Sequence, residues 1–222
     1  ALPPRYRAIA PDLRGYGEAE DKLIDATRGS ADWVDDLLAL KEALGIERYH
    51  VAGHSLGGFV LWRLVAEDAP NVLSATFVAP GSPYGFGGTR DLDGTPTHPD
   101  FAGSGGGLVN PEMVRRMTAG DRSTEDPSSP RNVMNSLYWK PPFRARREED
   151  LLSGMLSEKM GPDRYPGDSV PSPNWPGLAP GVHGPINALS PKYVGDSVER
   201  FVNASPKPPV LWVYGADDQI VS

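Results

Sequence analysis

The chain has 222 residues, a formal net charge of −7, 39% hydrophobic and 23% charged residues, and no cysteine, which together indicate one globular domain or one domain with an insertion. The acidic balance excludes nucleic acid as the expected partner, because phosphate recognition needs a basic surface. The absence of cysteine excludes disulfides, a thiolate nucleophile and a cysteine-ligated metal, and no apolar run approaches the roughly 20 residues that span a bilayer.

Strand and helix patterns alternate along both ends of the chain. In chain order, strands are expected at 7–10, 49–53, 75–79 and 210–214, and helices at 31–44 and 57–66. Apolar strands separated by helices are typical of a parallel sheet that helices cover on both faces. The pattern therefore predicts an α/β fold.

The alternation breaks after Pro80, since 17 of the 24 prolines lie between Pro80 and Pro191. Short helices are expected in this region from Asn110-Pro111 to Gly120, from Glu148 to Met160, and from Ser190-Pro191 onward. We therefore predict three parts. Residues 1–80 are the first part of the core, residues 81–188 an insertion, and residues 189–222 the second part of the core.

A nucleophile motif lies between the second predicted strand and the second predicted helix, where residues 53–58 are Gly-His-Ser-Leu-Gly-Gly. A sharp strand-to-helix turn exposes the central serine, Ser55, as the nucleophile. Gly53 and Gly57 are expected to shape this elbow because they lack a Cβ. The Leu56 amide, at the positive end of the helix, is expected to donate to an oxyanion. A chance motif in a chain with 25 glycines is the alternative, and the flanking strand and helix favour the elbow.

A second motif precedes the first helix, where residues 11–17 are Pro-Asp-Leu-Arg-Gly-Tyr-Gly. With residues 53–58, it resembles the α/β-hydrolase superfamily in its branch with an inserted cap, over residues 5–80 and 208–222. The resemblance implies an α/β-hydrolase fold, a cap formed by the insertion, a small-molecule substrate, and no metal or organic cofactor. Epoxide hydrolases and dehalogenases of this type use an aspartate nucleophile. Ser55 therefore leaves the esterase, lipase, lactonase, peptidase and carbon–carbon hydrolase branches open.

A candidate acid follows the last predicted strand. Residues 215–221 resemble the superfamily's acid loop, in which the carboxylate stands three residues after the glycine. That spacing selects Asp218, with Asp217 as the second choice. A surface turn is the alternative for this pair, because aspartate favours turns.

The expected order along the chain is serine, acid, then histidine, and all four histidines precede Asp218. We therefore expect the base beyond Ser222 and the second oxyanion donor before Ala1, so that N- and C-terminal parts of the fold lie outside this chain. His54, inside the motif, is expected to turn away from the nucleophile and either to support packing or to support the site without touching the substrate. His183, in the predicted cap, is the alternative base.

The first functional interpretation is hydrolysis of a carboxylic ester or related acyl bond through an acyl-enzyme on Ser55. A serine-dependent carbon–carbon hydrolase and a cofactor-free haloperoxidase-like enzyme are the alternatives among enzymes. A non-catalytic binding protein of the same fold is the alternative outside them. The aromatic residues of the insertion either line an acyl or aryl site or pack its own small core.

Overall fold

The structure is a computed structural model that describes residue 3 and residues 5–221. Its strands are β1 (Tyr49–Ser55), β2 (Val72–Pro80), β3 (Met160–Gly161), β4 (Tyr165–Pro166), β5 (Ser169–Pro171), β6 (Leu178–Pro180) and β7 (Val210–Val213). Its α-helices are α1 (Ala31–Ala43), α2 (Leu56–Asp68), α3 (Pro111–Thr118), α4 (Pro130–Leu137), α5 (Glu148–Leu156), α6 (Pro185–Ala188) and α7 (Ser197–Asn203). Short 3₁₀ turns lie at Ala26–Arg28, Ala69–Asn71 and Gly106–Leu108.

The main sheet has the order β1-β2-β7, and both neighbouring pairs are parallel. Helix α2 packs against one face of this sheet, where its Trp62 ring stacks on Phe77 of β2 with centroids 4.1 Å apart. Phe201 of α7 meets the same indole edge-on at 4.9 Å. Helix α1 contributes Trp33, which is fully buried, to the adjoining apolar cluster. These contacts place the core between α1, α2, α7 and one face of the sheet.

The opposite face of the sheet is exposed within the described residues. His50, Ala52 and His54 alternate outward along β1, and Val78 does so on β2. The expected parallel α/β architecture is therefore present, and helices α1, α2 and α7 cover one of its faces.

Most predicted elements of the core are observed, and one strand prediction is wrong. The predicted strand at 7–10 has no regular structure and is exposed. A strand is held by hydrogen bonds to a neighbour, and these residues pair with no strand that the structure describes.

Two helix predictions outside the main sheet need correction. The helix expected from Ser190-Pro191 begins only at Ser197. Gly195 has a φ of +58°, which interrupts helical backbone before that point,. The Ser190 hydroxyl accepts a 3.2 Å bond from the Lys192 amide, as a turn-forming serine does,. Helix α5 ends at Leu156, so the expected extension to Met160 is also wrong.

The β2–β7 connection, residues 81–209, contains helices α3 to α7 and the two small sheets β3-β4 and β5-β6. A fully buried asparagine, Asn187, joins its loops. The Asn187 amide nitrogen donates to Asp168 and to the His183 carbonyl at 2.7–2.9 Å. Its oxygen accepts from the Gly106 amide at 2.8 Å. One side chain thus holds three separate loops, while the division at 81 and 188 remains a prediction.

A helix needs about 20 mostly apolar residues to span a bilayer. Between residue 5 and residue 221, and at residue 3, none combines the length and the apolar character needed for a membrane span.

Candidate active site

Ser55 lies at the junction that the sequence predicts, as the last residue of β1 and the residue that precedes α2. Its backbone has φ 53° and ψ −117°, a combination that residues other than glycine rarely adopt,. The Ser55 carbonyl accepts a 3.0 Å hydrogen bond from the Gly81 amide, just beyond β2. The strained turn is therefore held by the neighbouring strand.

Two glycines allow the strand and the helix to approach each other. A Cβ on Gly53 would lie 2.5 Å from the Gly57 carbonyl oxygen, and one on Gly58 would lie 2.5 Å from the Cβ of Pro80. A Cβ on Gly57 would meet nothing within 4 Å among the described residues. Crowding thus supports the predicted elbow role of Gly53 and does not support it for Gly57. Gly58 carries the second close approach, which the motif alone did not reveal because Pro80 lies on another strand.

Leu56 is the first residue of α2. An amide in the first turn of a helix lacks an intrahelical acceptor, and the helix dipole places partial positive charge there. The Leu56 side chain packs against both apolar clusters of the core. Its amide is therefore well anchored beside the Ser55 side chain.

The acid loop follows β7 at the same end of the sheet as Ser55, because all three strands are parallel. Oδ1 of Asp218 accepts from the amides of Ile220 at 2.9 Å and Val221 at 3.0 Å. The amides of Val221 and Ile220 hold the pKa of Asp218 below its usual value, and nearby His54 adds to this lowering. Asp217 instead faces the β2–β7 connection, where its Oδ2 lies 2.6 Å from Nζ of Lys140. The two neighbouring carboxylates therefore have different surroundings.

The histidines differ in their relation to this site. His54 is exposed, which does not support a packing role among the described residues. It lies near Asp218, and a supporting role at the site remains a prediction. His50 places its Nδ1 2.7 Å from the Ser74 hydroxyl. The main chain of His183 bonds to Asp168 and Asn187 while the residue itself is exposed. The His98 carbonyl accepts from Phe101 within a turn.

A half-buried carboxyl that the sequence did not single out, that of Glu158, lies against the loop 12–17. The Lys159 amide donates to the Gly15 carbonyl at 2.9 Å, and the Tyr165 amide donates to the Lys159 carbonyl at 2.9 Å. These bonds bring Glu158 beside Tyr16 and Tyr165. Burial raises the pKa of Glu158 to about 8, and a hydrogen bond with Tyr16 partly opposes that rise. Only a tertiary contact between distant segments creates this environment.

A metal site in a protein needs several ligating side chains grouped around one point. Across the described chain, residue 3 and 5–221, no three side chains of His, Cys, Asp or Glu are grouped so that they could hold a metal ion.

Comparison with known proteins decides the family. A family model for the alpha/beta hydrolase fold matches residues 1–222. The chain belongs to the α/β-hydrolase family. The fold expected from the residues 11–17 and 53–58 is thereby confirmed.

Individual relatives match the α/β-hydrolase chain over short segments. Over 57 residues it is 40% identical to epoxide hydrolase 3 of Siraitia grosvenorii, covering 26% of this chain and 18% of that protein. Over 86 residues it is 36% identical to the dihydrolipoyllysine-residue acetyltransferase component of the acetoin cleaving system of Cupriavidus necator, covering 39% and 22%. A solved serine hydrolase from Cycloclasticus zankles aligns with a TM-score of 0.53 and 16% identity, covering 95% of this chain and 62% of that one. The similarity to the Cycloclasticus zankles structure concerns the fold alone.

Proposed function

We propose that the protein is a serine hydrolase that cleaves a carboxylic ester, or a closely related acyl bond, through an acyl-enzyme on Ser55. The strained backbone of Ser55, φ 53° at a strand-to-helix junction, is the observation that carries the proposal. A strained residue persists only where its surroundings hold it in place, and such positions cluster at functional sites. Here Gly53 and the Gly81 amide supply that restraint.

The first half of the reaction forms the acyl-enzyme. The Ser55 hydroxyl oxygen attacks the ester carbonyl carbon while its proton passes to a histidine base. The Leu56 amide donates to the oxyanion that forms on the carbonyl oxygen. As the tetrahedral intermediate collapses, the carbon–oxygen bond to the alcohol breaks, and the alcohol oxygen takes the proton back from the base.

The second half restores the free serine. Water attacks the acyl carbon and gives a proton to the same base, and the bond from that carbon to the Ser55 oxygen breaks. The Ser55 oxygen then regains the proton, and the carboxylic acid leaves. The balance is ester plus water giving alcohol plus carboxylic acid, with Ser55 and the base restored to their starting states.

Asp218 would orient the base in this proposal. Strands β1 and β7 are separated by β2, so their axes lie about 10 Å apart. This gap is too wide for Ser55 and Asp218 to bond directly and suits an imidazole placed between them. The proposal requires a histidine imidazole in this gap. The His50 ring lies 2.7 Å from the Ser74 hydroxyl instead, and the bonds described for His183 involve its main chain and not its ring.

Ester hydrolysis by the full-length protein tests the proposal. Ser55→Ala should lower kcat for 4-nitrophenyl butyrate by several orders of magnitude, up to about 10⁶-fold. Ser136→Ala, which removes a helix-surface hydroxyl bonded to the Asn132 carbonyl, is the matched control and should retain full activity. Undiminished turnover by pure Ser55→Ala protein would refute the assignment.

A further inference from the structure

A segment of the β2–β7 connection lies beside the acid loop. Nζ of Lys140 and Oδ2 of Asp217 are 2.6 Å apart, although 77 residues separate them in the chain. Asp217 directly precedes Asp218, the proposed acid. The ion pair therefore places residues 138–143 next to the carboxylate that would orient the base.

Residues 138–143 carry three aromatic rings in contact. The centroids of Tyr138 and Trp139 are 6.5 Å apart, those of Trp139 and Phe143 are 5.9 Å apart, and both pairs meet edge to face. Tyr138 is 51% exposed and Phe143 is 58% exposed. Contiguous apolar surface of this kind marks a binding surface more often than isolated exposed residues do.

The packing of this segment leaves one polar group unsatisfied. The indole N–H of Trp139 is buried and has no acceptor among the described residues. A buried donor without an acceptor is costly, so its occurrence calls for an explanation. An occupant that lets the ring turn toward an acceptor would relieve this cost.

We propose that residues 138–143 form the wall that receives an aromatic group of the substrate, so that aryl esters are the preferred substrate class. This inference rests on the proposed ester hydrolysis at Ser55. The rings offer edge-to-face and offset-stacked contacts, which favour an aromatic group over a saturated group of the same size. The Lys140–Asp217 pair holds the wall over the acid loop.

Binding to the Ser55→Ala form of the full-length protein tests the inference without requiring turnover. Phenyl butyrate and cyclohexyl butyrate share an acyl group and differ in aromaticity. Titration followed by backbone amide NMR signals should show phenyl butyrate binding about three- to tenfold more tightly, the range expected for aromatic contacts. Signals of residues 138–143 and 215–218 should shift together. Equal affinity for the two esters, or shifts confined to other segments, would overturn the inference.

Matched variants show which residues cause the preference for the phenyl ester. Trp139→Leu and Phe143→Leu should abolish the preference for the phenyl ester, whereas Trp175→Leu, at a residue that is 83% exposed, should retain it. An equal loss in the Trp175 variant would contradict a role for residues 138–143.

A second pair of variants keeps the test independent of packing inside the segment. Lys140→Met removes the exposed ion pair with Asp217 and should reduce the preference at least twofold. Lys22→Met removes the comparable exposed pair with Glu20 and should not change it. A full preference in the Lys140 variant would refute the proposed hold on the acid loop.

The binding and hydrolysis experiments separate the two proposals. Loss of the phenyl preference together with hydrolysis that depends on Ser55 would refute only the aromatic wall. Normal phenyl binding at residues 138–143 with turnover that is indifferent to Ser55→Ala would refute only the proposed function.

Discussion

Trp62 of helix α2 donates its indole N–H to the carbonyl of Gly81 in a buried hydrogen bond of 2.8 Å. The Gly81 amide in turn donates to the Ser55 carbonyl at 3.0 Å. A residue two turns into the helix is thus linked through the backbone of Gly81 to the strained serine that precedes that helix. Packing of the core and geometry of the proposed nucleophile therefore depend on each other.

Trp62→Phe is expected to destabilise the protein by about 1–3 kcal/mol, because the buried Gly81 carbonyl loses its donor. The phenyl ring can keep the stacked contact with Phe77, but it is smaller than indole, so the loss combines the hydrogen bond with a packing cost. Urea unfolding measures the free energy. Trp175→Phe, at an exposed position, is the control and should shift it by less than about 0.5 kcal/mol. Equal changes in the free energy of unfolding at both positions would contradict the proposed contribution of the Trp62–Gly81 hydrogen bond.

Ser55→Gly is expected to stabilise the fold although it removes the proposed nucleophile. Strain at an unfavourable φ and ψ costs about 1–3 kcal/mol, while the extra entropy of unfolded glycine costs about 0.5–1 kcal/mol. The net gain of about 1 kcal/mol should raise Tm by about 2–4 °C. Differential scanning calorimetry measures it.

A serine-to-glycine change at a position without backbone strain is the control for Ser55→Gly. Ser136 lies within helix α4, where glycine costs up to about 1 kcal/mol. Ser136→Gly should therefore lower Tm while Ser55→Gly raises it. A decrease in both variants would mean that the elbow is not strained.

Asp218→Asn is expected to cripple ester hydrolysis in the full-length protein. Both amide donors, from Ile220 and Val221, bond to one oxygen of Asp218. An asparagine can keep that oxygen, so the loop should stay folded while the charge that orients the base is lost. Kinetics with 4-nitrophenyl butyrate, together with circular dichroism, would separate these two effects.

Asp217→Asn distinguishes the neighbouring carboxylate. Its contact is the exposed Lys140, and exposed ion pairs contribute little to stability. The change in kcat/KM should stay below about tenfold, roughly 1.4 kcal/mol in the barrier. A larger loss at Asp217 than at Asp218 would show that the acid is Asp217.

Stability is expected to fall as the pH rises toward 8, owing to Glu158. Its pKa in the folded protein is about 8, above the value of roughly 4.3 in an unfolded chain. Between these values the folded state binds the proton and the unfolded state does not, so the stabilisation is complete below about pH 4.3 and is lost as the pH passes through 8.

Glu158→Gln isolates this contribution, because glutamine mimics the protonated acid. The variant should match the parent near pH 4.5 and exceed it at pH 8.5 by about 2 kcal/mol, less than the full shift implies because the side chain is partly exposed. Urea midpoints across this pH range measure the difference. Glu42→Gln, at an exposed helix position, should show no such divergence.

Local signals predicted the helices and strands around Ser55 well. Apolar spacing and start and stop residues predicted a helix at 31–44, and α1 spans Ala31–Ala43. The strand expected at 7–10 failed because strand formation requires a partner, which a local pattern cannot supply. The helix start at Ser190-Pro191 failed because Gly195 interrupts the backbone five residues later.

Features of the candidate site that depend on distant contacts were not predictable. The environment of Glu158 arises where Lys159 meets Gly15, and the pairing of Lys140 with Asp217 spans 77 residues. The motif singled out Ser55 and Asp218, and their roles remain predictions. Asp217 and Asp218 differ in their surroundings because Lys140 of the β2–β7 connection contacts Asp217, and the sequence does not reveal that contact.

The buried amide of Asn187 has a consequence for the order in which the chain folds. Its oxygen bonds to Gly106 across 81 residues, and its nitrogen bonds to Asp168 across 19. Contacts between distant residues form slowly, because the entropy of closing the intervening loops must be overcome first. The proline-rich connection should therefore acquire its shape late, after helix α2 and strands β1 and β2 have assembled from nearby sequence. Hydrogen exchange pulsed during refolding should protect the Gly106 amide after the amides of α2.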